Sequence, residues 1–268
     1  MRSQDSRAVD CHAHVFSATA PAVVGARYRP AYGADLNEWR DLWKRTGLTH
    51  GVVVQPSFFG TDNREMLDTI ASDPQHLRGV AVLDPIVDNA TLERFSALGV
   101  RAIRLNLRGV EDYGTFAAPR WLDLYERVAA IGWHVEVFVD LGRLPEIEPA
   151  FSGTSIPVVF DHFGSAGAES RSLAATFGTV RRLAATGPVW AKLSAPFRHA
   201  AGHPRELAQR WVDAVGPDHL VWGSDWPWTG HEAGRDYAAL RAELDDWLDA
   251  RLVRSILWDN AARLYGFA

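Results

Sequence analysis

The sequence predicts a single (β/α)₈ barrel, and three observations carry that prediction. Short, almost wholly apolar runs alternate with longer amphipathic stretches about eight times along the chain. Strands covered on both faces read as continuous apolar runs, and strand–helix alternation at this spacing means a parallel sheet. The 268 residues match eight such units closed into one domain over residues 1–268. No Gly-x-Gly-x-x-Gly or Walker-type loop follows the first run, which argues against an open nucleotide-binding sheet.

The strands are expected at Ala8–Phe16, Gly51–Gln55, Arg78–Leu83, Val100–Leu107, His134–Asp140, Pro157–His162, Val189–Ser194 and Leu220–Ser224. Helical patterns fill the intervals. Asp35 precedes a stretch with Trp39, Leu42 and Trp43 on one face, ended by Gly47. Asp62 opens a second, with Met66, Leu67 and Ile70, closed at Asp73-Pro74. Leu92, Phe95 and Leu98 line a third, stopped by Gly99; Trp121, Leu122, Tyr125 and Val128 line a fourth, stopped by Gly132. Further helices are expected at Ala168–Thr186, Pro204–Val215 and Asp236–Asp249, then a last pair at Arg251–Trp258 and Asn260–Tyr265.

Composition narrows the function. Hydrophobic residues make up 47% and charged residues 23%, an ordinary globular balance. Net charge is only −5 with no basic block, which excludes nucleic acid as an expected partner. Cys11 is the single cysteine, so no intrachain disulfide forms. Met1 to Arg7 is short and polar, without the features of a signal peptide, and no apolar run approaches a membrane span; the chain reads as cytoplasmic. Eleven tryptophans, several near the motifs below, suit the walls of a pocket for a small organic molecule. A homo-oligomer is compatible with this composition.

The chemistry-bearing residues cluster at strand ends. Asp10-Cys11-His12-Ala13-His14 closes the first strand, and alternate residues share a face, placing both imidazoles on one side roughly 6–7 Å apart at the backbone. Such a pair either ligates a metal or donates hydrogen bonds to an oxyanion. A chance His-x-His among ten histidines is unremarkable by itself. Its position is what counts, because barrels place their chemistry at the C-terminal ends of the strands. His162 ends the sixth strand and Asp225 the eighth, beside the first strand in a closed barrel.

Arg104 and Asn106, at the end of the fourth strand, face the interior together. A buried guanidinium there takes either a substrate carboxylate or an internal partner, Glu136 or Asp140 on the fifth strand. Lys192 and Arg198, around the end of the seventh, are candidate anion clamps; Arg198 serves equally as a solvated loop residue. Tyr28, after the first strand, either bonds a ligand or pins its loop. Gln55 to Asn63 presents polar groups at the end of the second strand. His134, His199, His203, His219 and His231 lack such support and are read as surface or core.

These motifs resemble the amidohydrolase superfamily, within it the branch of 2-pyrone-4,6-dicarboxylate lactonase and related lactonases. The resemblance runs over nearly the whole chain. It rests on Asp10-Cys11-His12-Ala13-His14, Arg27-Tyr28-Arg29-Pro30, Gln55-Pro56-Ser57 with Gly60-Thr61-Asp62-Asn63, and Ile103-Arg104-Leu105-Asn106. It continues in Asp161-His162-Phe163-Gly164, Lys192-Leu193-Ser194, Gly223-Ser224-Asp225-Trp226-Pro227 and the tail from Asn260 to Phe267. It implies hydrolysis of a carboxylated or sugar-derived lactone by an activated water. Asp225 is then the general base, His12, His14 and His162 polarise the carbonyl directly or through a metal, and Arg104 and Arg198 clamp a carboxylate with Tyr28 assisting.

The pattern departs from the family in one place: the arginine expected six residues after Arg104 is Val110, and Arg108 is out of register. This weakens the expectation of a dicarboxylate substrate. The fourth strand, ending in Arg104 and Asn106, and the fifth from Val135 to Asp140 also lack, respectively, the bridging lysine or glutamate and the histidine of bimetal members. The expected cofactor is therefore none, or one Zn²⁺ on His12, His14, Asp225 and His162. The alternative function is a metal-dependent decarboxylase of an aromatic or unsaturated acid, and a third is a binding protein that has lost the chemistry.

Overall fold

A computed structural model describes residues 7–165, 173–198 and 204–268. Eight parallel strands run in the order β1 to β8: Val9–Ala13, His50–Val54, Leu77–Ala81, Val100–Asn106, His134–Phe138, Val158–Phe160, Val189–Ser194 and Leu220–Gly223. The sheet closes where Asp225 N donates to His12 O at 2.8 Å and His14 N to Trp226 O at 2.8 Å. Gly223 permits that closure: a Cβ there would meet the His12 Cβ at 2.6 Å. Only a residue without a side chain lets the last strand approach the first so closely.

Helices α1 to α8 cover Leu36–Thr46, Arg64–Ser72, Asn89–Leu98, Pro119–Ala130, Leu144–Phe151, Leu173–Ala184, Pro204–Val215 and Tyr237–Trp247. The expected caps hold where Asp35 accepts from Asn37 N at 2.7 Å and where Gly47 and Gly99 end helices in the left-handed region. The second helix starts one residue later than expected, with Asn63 as its cap. The fifth helix is absent from the sequence reading, because Pro145 in its first turn and Pro149 inside it look like loop punctuation. The start expected at Ala168 lies outside the described residues. The expected Arg251–Trp258 helix is α9, Ala250–Arg254, running through a π-turn at Ser255–Asp259 into α10, Asn260–Tyr265.

Strand ends are shorter than expected at β1, β5 and β6. His14, Asp140 and His162 therefore sit in the loops that follow the strands, where side chains can aim at a ligand instead of a ladder.

Side chains fill the barrel in layers. Ala102 and Trp190 belong to an inner apolar cluster with Val9, Cys11, Val52, Val159 and Val221, floored by Tyr265 and Phe267. Two residues further along the same strands, Arg104, Glu136 and Lys192 form a fully or almost fully buried polar layer. Two further still, Asn106 and Phe138 line a cavity at the rim. No described helix is long and apolar enough to cross a membrane.

Candidate active site

Register along β1 decides which way its polar residues face. Pairing with β2 slips between Asp10 and Ala13, so the two-residue alternation breaks there. Asp10 turns outward and accepts from Trp39 Nε1 at 3.0 Å, Tyr237 Oη at 2.7 Å, and the Ser224 Oγ and backbone N at 2.6 and 2.8 Å. His12 and His14 turn inward. Asp10 thus ties the first strand to the turn that carries Asp225.

Asp225 and His162 both occupy the left-handed region, with φ of 61° and 52°. Each such non-glycine residue costs about 1–3 kcal/mol, sustained by the surrounding packing. The result is convergence on one atom: Asp225 Oδ1 lies 3.7 Å from His12 Nε2, 3.8 Å from His14 Nε2 and 3.5 Å from His162 Nε2. All four side chains are buried. The far ring nitrogens are anchored, His14 Nδ1 to Val54 O at 2.7 Å, His162 Nδ1 to Ser194 Oγ at 2.8 Å, and His12 Nδ1 to Lys192 Nζ at 3.0 Å.

Electrostatics keep the imidazoles neutral. Burial pushes His14 down to about 3, with Arg104 adding to the effect. Burial lowers His12 and His162 well below the usual histidine value, reinforced by Lys192 for the first and by His12 for the second. Burial raises the Asp225 carboxyl, and Arg198 opposes that shift. Burial thus disfavours the charged forms of Asp225 and of all three rings.

The cavity over this cluster encloses about 400 Å³. Four arginines line it, Arg27, Arg104, Arg108 and Arg198, and Asp225 is the only carboxylate among the lining residues. Such a wall favours an anionic guest.

The structure brings together most of the residues expected from sequence and corrects the rest. Tyr28, Arg104, Asn106 and Arg198 line the cavity with His14, His162 and Asp225. Tyr28 also donates to Glu232, so it pins its loop as well. Arg104 pairs with Asp161 at 2.9 Å, not with Glu136 or Asp140; Asp161 follows directly on β6, one strand beyond β5. Asp140 instead caps its own turn at Gly142 N, 2.8 Å away. Arg198 is not solvated: its Nε donates to Asp225 Oδ2 at 2.6 Å.

Lys192 does not line the cavity. It is fully buried beneath the cavity, 2.5 Å from Glu136 Oε2 and 3.2 Å from Asp161 Oδ1, so its charge is already met. Sequence reading did not single out Asp161, and it named Glu136 only as a possible partner of Arg104. Burial works to raise the Asp161 carboxyl, but the Lys192 and Arg104 charges hold it well below the ordinary range. The adjacency Asp161-His162 was its only local signal. His231, read as surface or core, lines the cavity, and nothing local in its sequence announces that. His134 is core as expected, bonding Glu136 at 3.4 Å; His199 and His203 lie outside the described residues.

By donor type the site suits one zinc ion, since ligand atoms of His12, His14 and Asp225 lie within 4.8 Å of one another. By hydrogen-bond state it does not. A neutral ring that accepts from Lys192 on Nδ1 carries its hydrogen on Nε2, the atom a metal would take.

Comparison with known proteins agrees with this geometry. The amidohydrolase family model matches residues 9–267. A 2-pyrone-4,6-dicarboxylate hydrolase of Comamonas testosteroni is 31% identical, covering 96% of this chain and 90% of its own. A 4-sulfomuconolactone hydrolase of Rhizobium radiobacter is 27% identical over 96% and 89%. A solved structure named as a probable 2-pyrone-4,6-dicarboxylic acid hydrolase of Acinetobacter baumannii, with citric acid bound, superposes with a TM-score of 0.86 at 31% identity, covering 97% and 99%.

Proposed function

Because this chain belongs to the amidohydrolase family, we propose that it is a lactone hydrolase opening a small anionic lactone by water attack. One observation carries the reading: a buried carboxylate oxygen without a hydrogen-bond partner among the described residues, Asp225 Oδ1, sits among three neutral imidazoles at the floor of an arginine-lined cavity.

Asp225 takes the water proton at Oδ1 while Arg198 holds Oδ2. Hydroxide adds to the lactone carbonyl, and imidazole N–H groups stabilise the oxyanion. Collapse breaks the ring C–O bond, and the departing oxygen receives the proton from Asp225, yielding a hydroxy acid or its keto form. No metal takes part in this scheme. The metal-dependent decarboxylase reading asks His12 to ligate through Nε2, which Lys192 opposes.

The positive lining favours an anionic lactone, in keeping with the carboxylated and sulfonated compounds named for the relatives. Arg104 and Arg198 already pair with Asp161 and Asp225. Arg27 and Arg108 have no carboxylate within ion-pair distance among the described residues, and both stand at the exposed side of the cavity. Among the described residues Arg27 donates to Asn106 Oδ1, at 3.1 Å. This pair supplies a second positive site despite Val110, so a substrate with two anionic groups is again favoured. A panel of lactones bearing none, one or two carboxylates, followed by acid release, tests the reading. Turnover confined to carboxylated members is expected; a chain that opens none of them sinks it.

A further inference from the structure

The two imidazoles of the His12-Ala13-His14 pair are held by partners of opposite kind. Val54 O can only accept, so His14 carries its hydrogen on Nδ1 and presents a bare Nε2 to the cavity. The Lys192 ammonium can only donate, so His12 accepts on Nδ1 and presents an Nε2–H. The competing arrangement, His12 donating to Asp161 Oδ1, spans 3.3 Å, longer than the 3.0 Å to Lys192, and that oxygen already faces the Lys192 ammonium at 3.2 Å. Lys192 is locked in its place by Glu136 Oε2 at 2.5 Å, and Glu136 Oε1 in turn accepts from Tyr265 at 2.7 Å. His12 Nε2 is itself buried and without a hydrogen-bond partner among the described residues, too far from Asp225 Oδ1 at 3.7 Å to spend its hydrogen there.

We propose that Lys192 is a positioning residue that divides the histidine pair into a donor and an acceptor: His12 donates to the lactone carbonyl, and His14 accepts from the attacking water. The division rests on the lactonase reading for the identity of the carbonyl, but the tautomers themselves do not. The water then gives one hydrogen bond to His14 Nε2 and its other proton to Asp225 Oδ1. The new C–O bond forms as the carbonyl electrons move onto oxygen, against the His12 Nε2–H. When the ring C–O bond breaks, its electron pair leaves with the ring oxygen, which takes the proton back from Asp225. His12 and His14 end as they began. The same lysine bond denies His12 Nε2 to a metal ion, so one contact both sets the oxyanion donor and disfavours zinc.

Long-range ¹H–¹⁵N NMR of substrate-free, metal-free protein labelled in histidine tests this, with ring signals assigned from His12→Gln and His14→Gln. The expected result is hydrogen on Nε2 of His12 and on Nδ1 of His14. A shared tautomer, or a His12 hydrogen on Nδ1, overturns the proposal whatever the lactone panel shows; a failed panel with opposed tautomers condemns the lactonase reading alone. Lys192→Met should move the His12 hydrogen to Nδ1, toward Asp161, and raise Zn²⁺ affinity in calorimetry at least about tenfold. A folded Lys192→Met protein with an unmoved tautomer also overturns it. Should circular dichroism show that variant unfolded, the wild-type spectrum decides.

Discussion

Arg198 Nε lies 2.6 Å from Asp225 Oδ2, while Oδ1 of the same carboxylate has no hydrogen-bond partner among the described residues. One oxygen is restrained and the other is left for chemistry. Asp225→Asn keeps the shape and removes the basicity, so turnover of a carboxylated lactone should fall by about 10²–10⁴-fold. Thermal unfolding and ligand binding should stay close to wild type. Retained turnover in that variant is incompatible with the role assigned to Asp225.

Arg198 also sets where the base titrates. Burial raises the Asp225 carboxyl and the guanidinium pulls it back. The base works only when ionised, so the acidic limb of the rate profile should sit above the ordinary carboxylate range. Arg198→Gln removes the opposing charge, and the limb should move to still higher pH. A limb moving to lower pH, read from kcat/KM against pH, contradicts the electrostatic account.

Stability should depend on pH through the buried imidazoles. His12, His14 and His162 have folded values lowered from the ordinary 6.5, His14 to about 3. Below 6.5 the unfolded chain binds protons that the folded chain refuses, so the sign favours unfolding. Each such ring removes up to about 1.4 kcal/mol per pH unit as pH falls from 6.5 toward its folded value. Urea titrations at pH 7 and pH 5 check this; equal stability at both refutes neutral burial.

The Arg27 and Arg108 pair predicts a split in kinetic constants. Replacing either with Met should raise KM for a lactone with two carboxylates about tenfold. Turnover should change little, and a lactone with a single carboxylate should be affected less. A fall in kcat with unchanged KM would place these residues in the chemistry instead.

Gly223→Ala tests the barrel closure. The added Cβ would strike His12 at 2.6 Å, and relief requires parting β8 from β1. A loss of about 1–3 kcal/mol is expected, with activity falling further because Asp225 follows on the same turn. Denaturant midpoints and rates measured together would show whether the two losses separate.

Much of this was legible in order along the chain. The apolar runs and their breakers mark strands and helices because burial period and cap chemistry are local properties, as at Asp35 and Gly47. His12, His14, His162 and Asp225 stood out because each falls at the end of an apolar run. The fifth helix stayed hidden because Pro145 and Pro149 speak for a turn until tertiary packing outweighs them.

What the sequence by itself determined is the barrel, the polar residues at its rim and the membership of one family of hydrolases. Tertiary structure alone decided their partners. Arg104 meets Asp161, Lys192 meets Glu136 and His12, and Arg198 meets Asp225 across separations of 27 to 180 residues. The reason is physical: a charge sealed from water must find its counter-charge in space, and on a closed barrel the nearest one belongs to another strand.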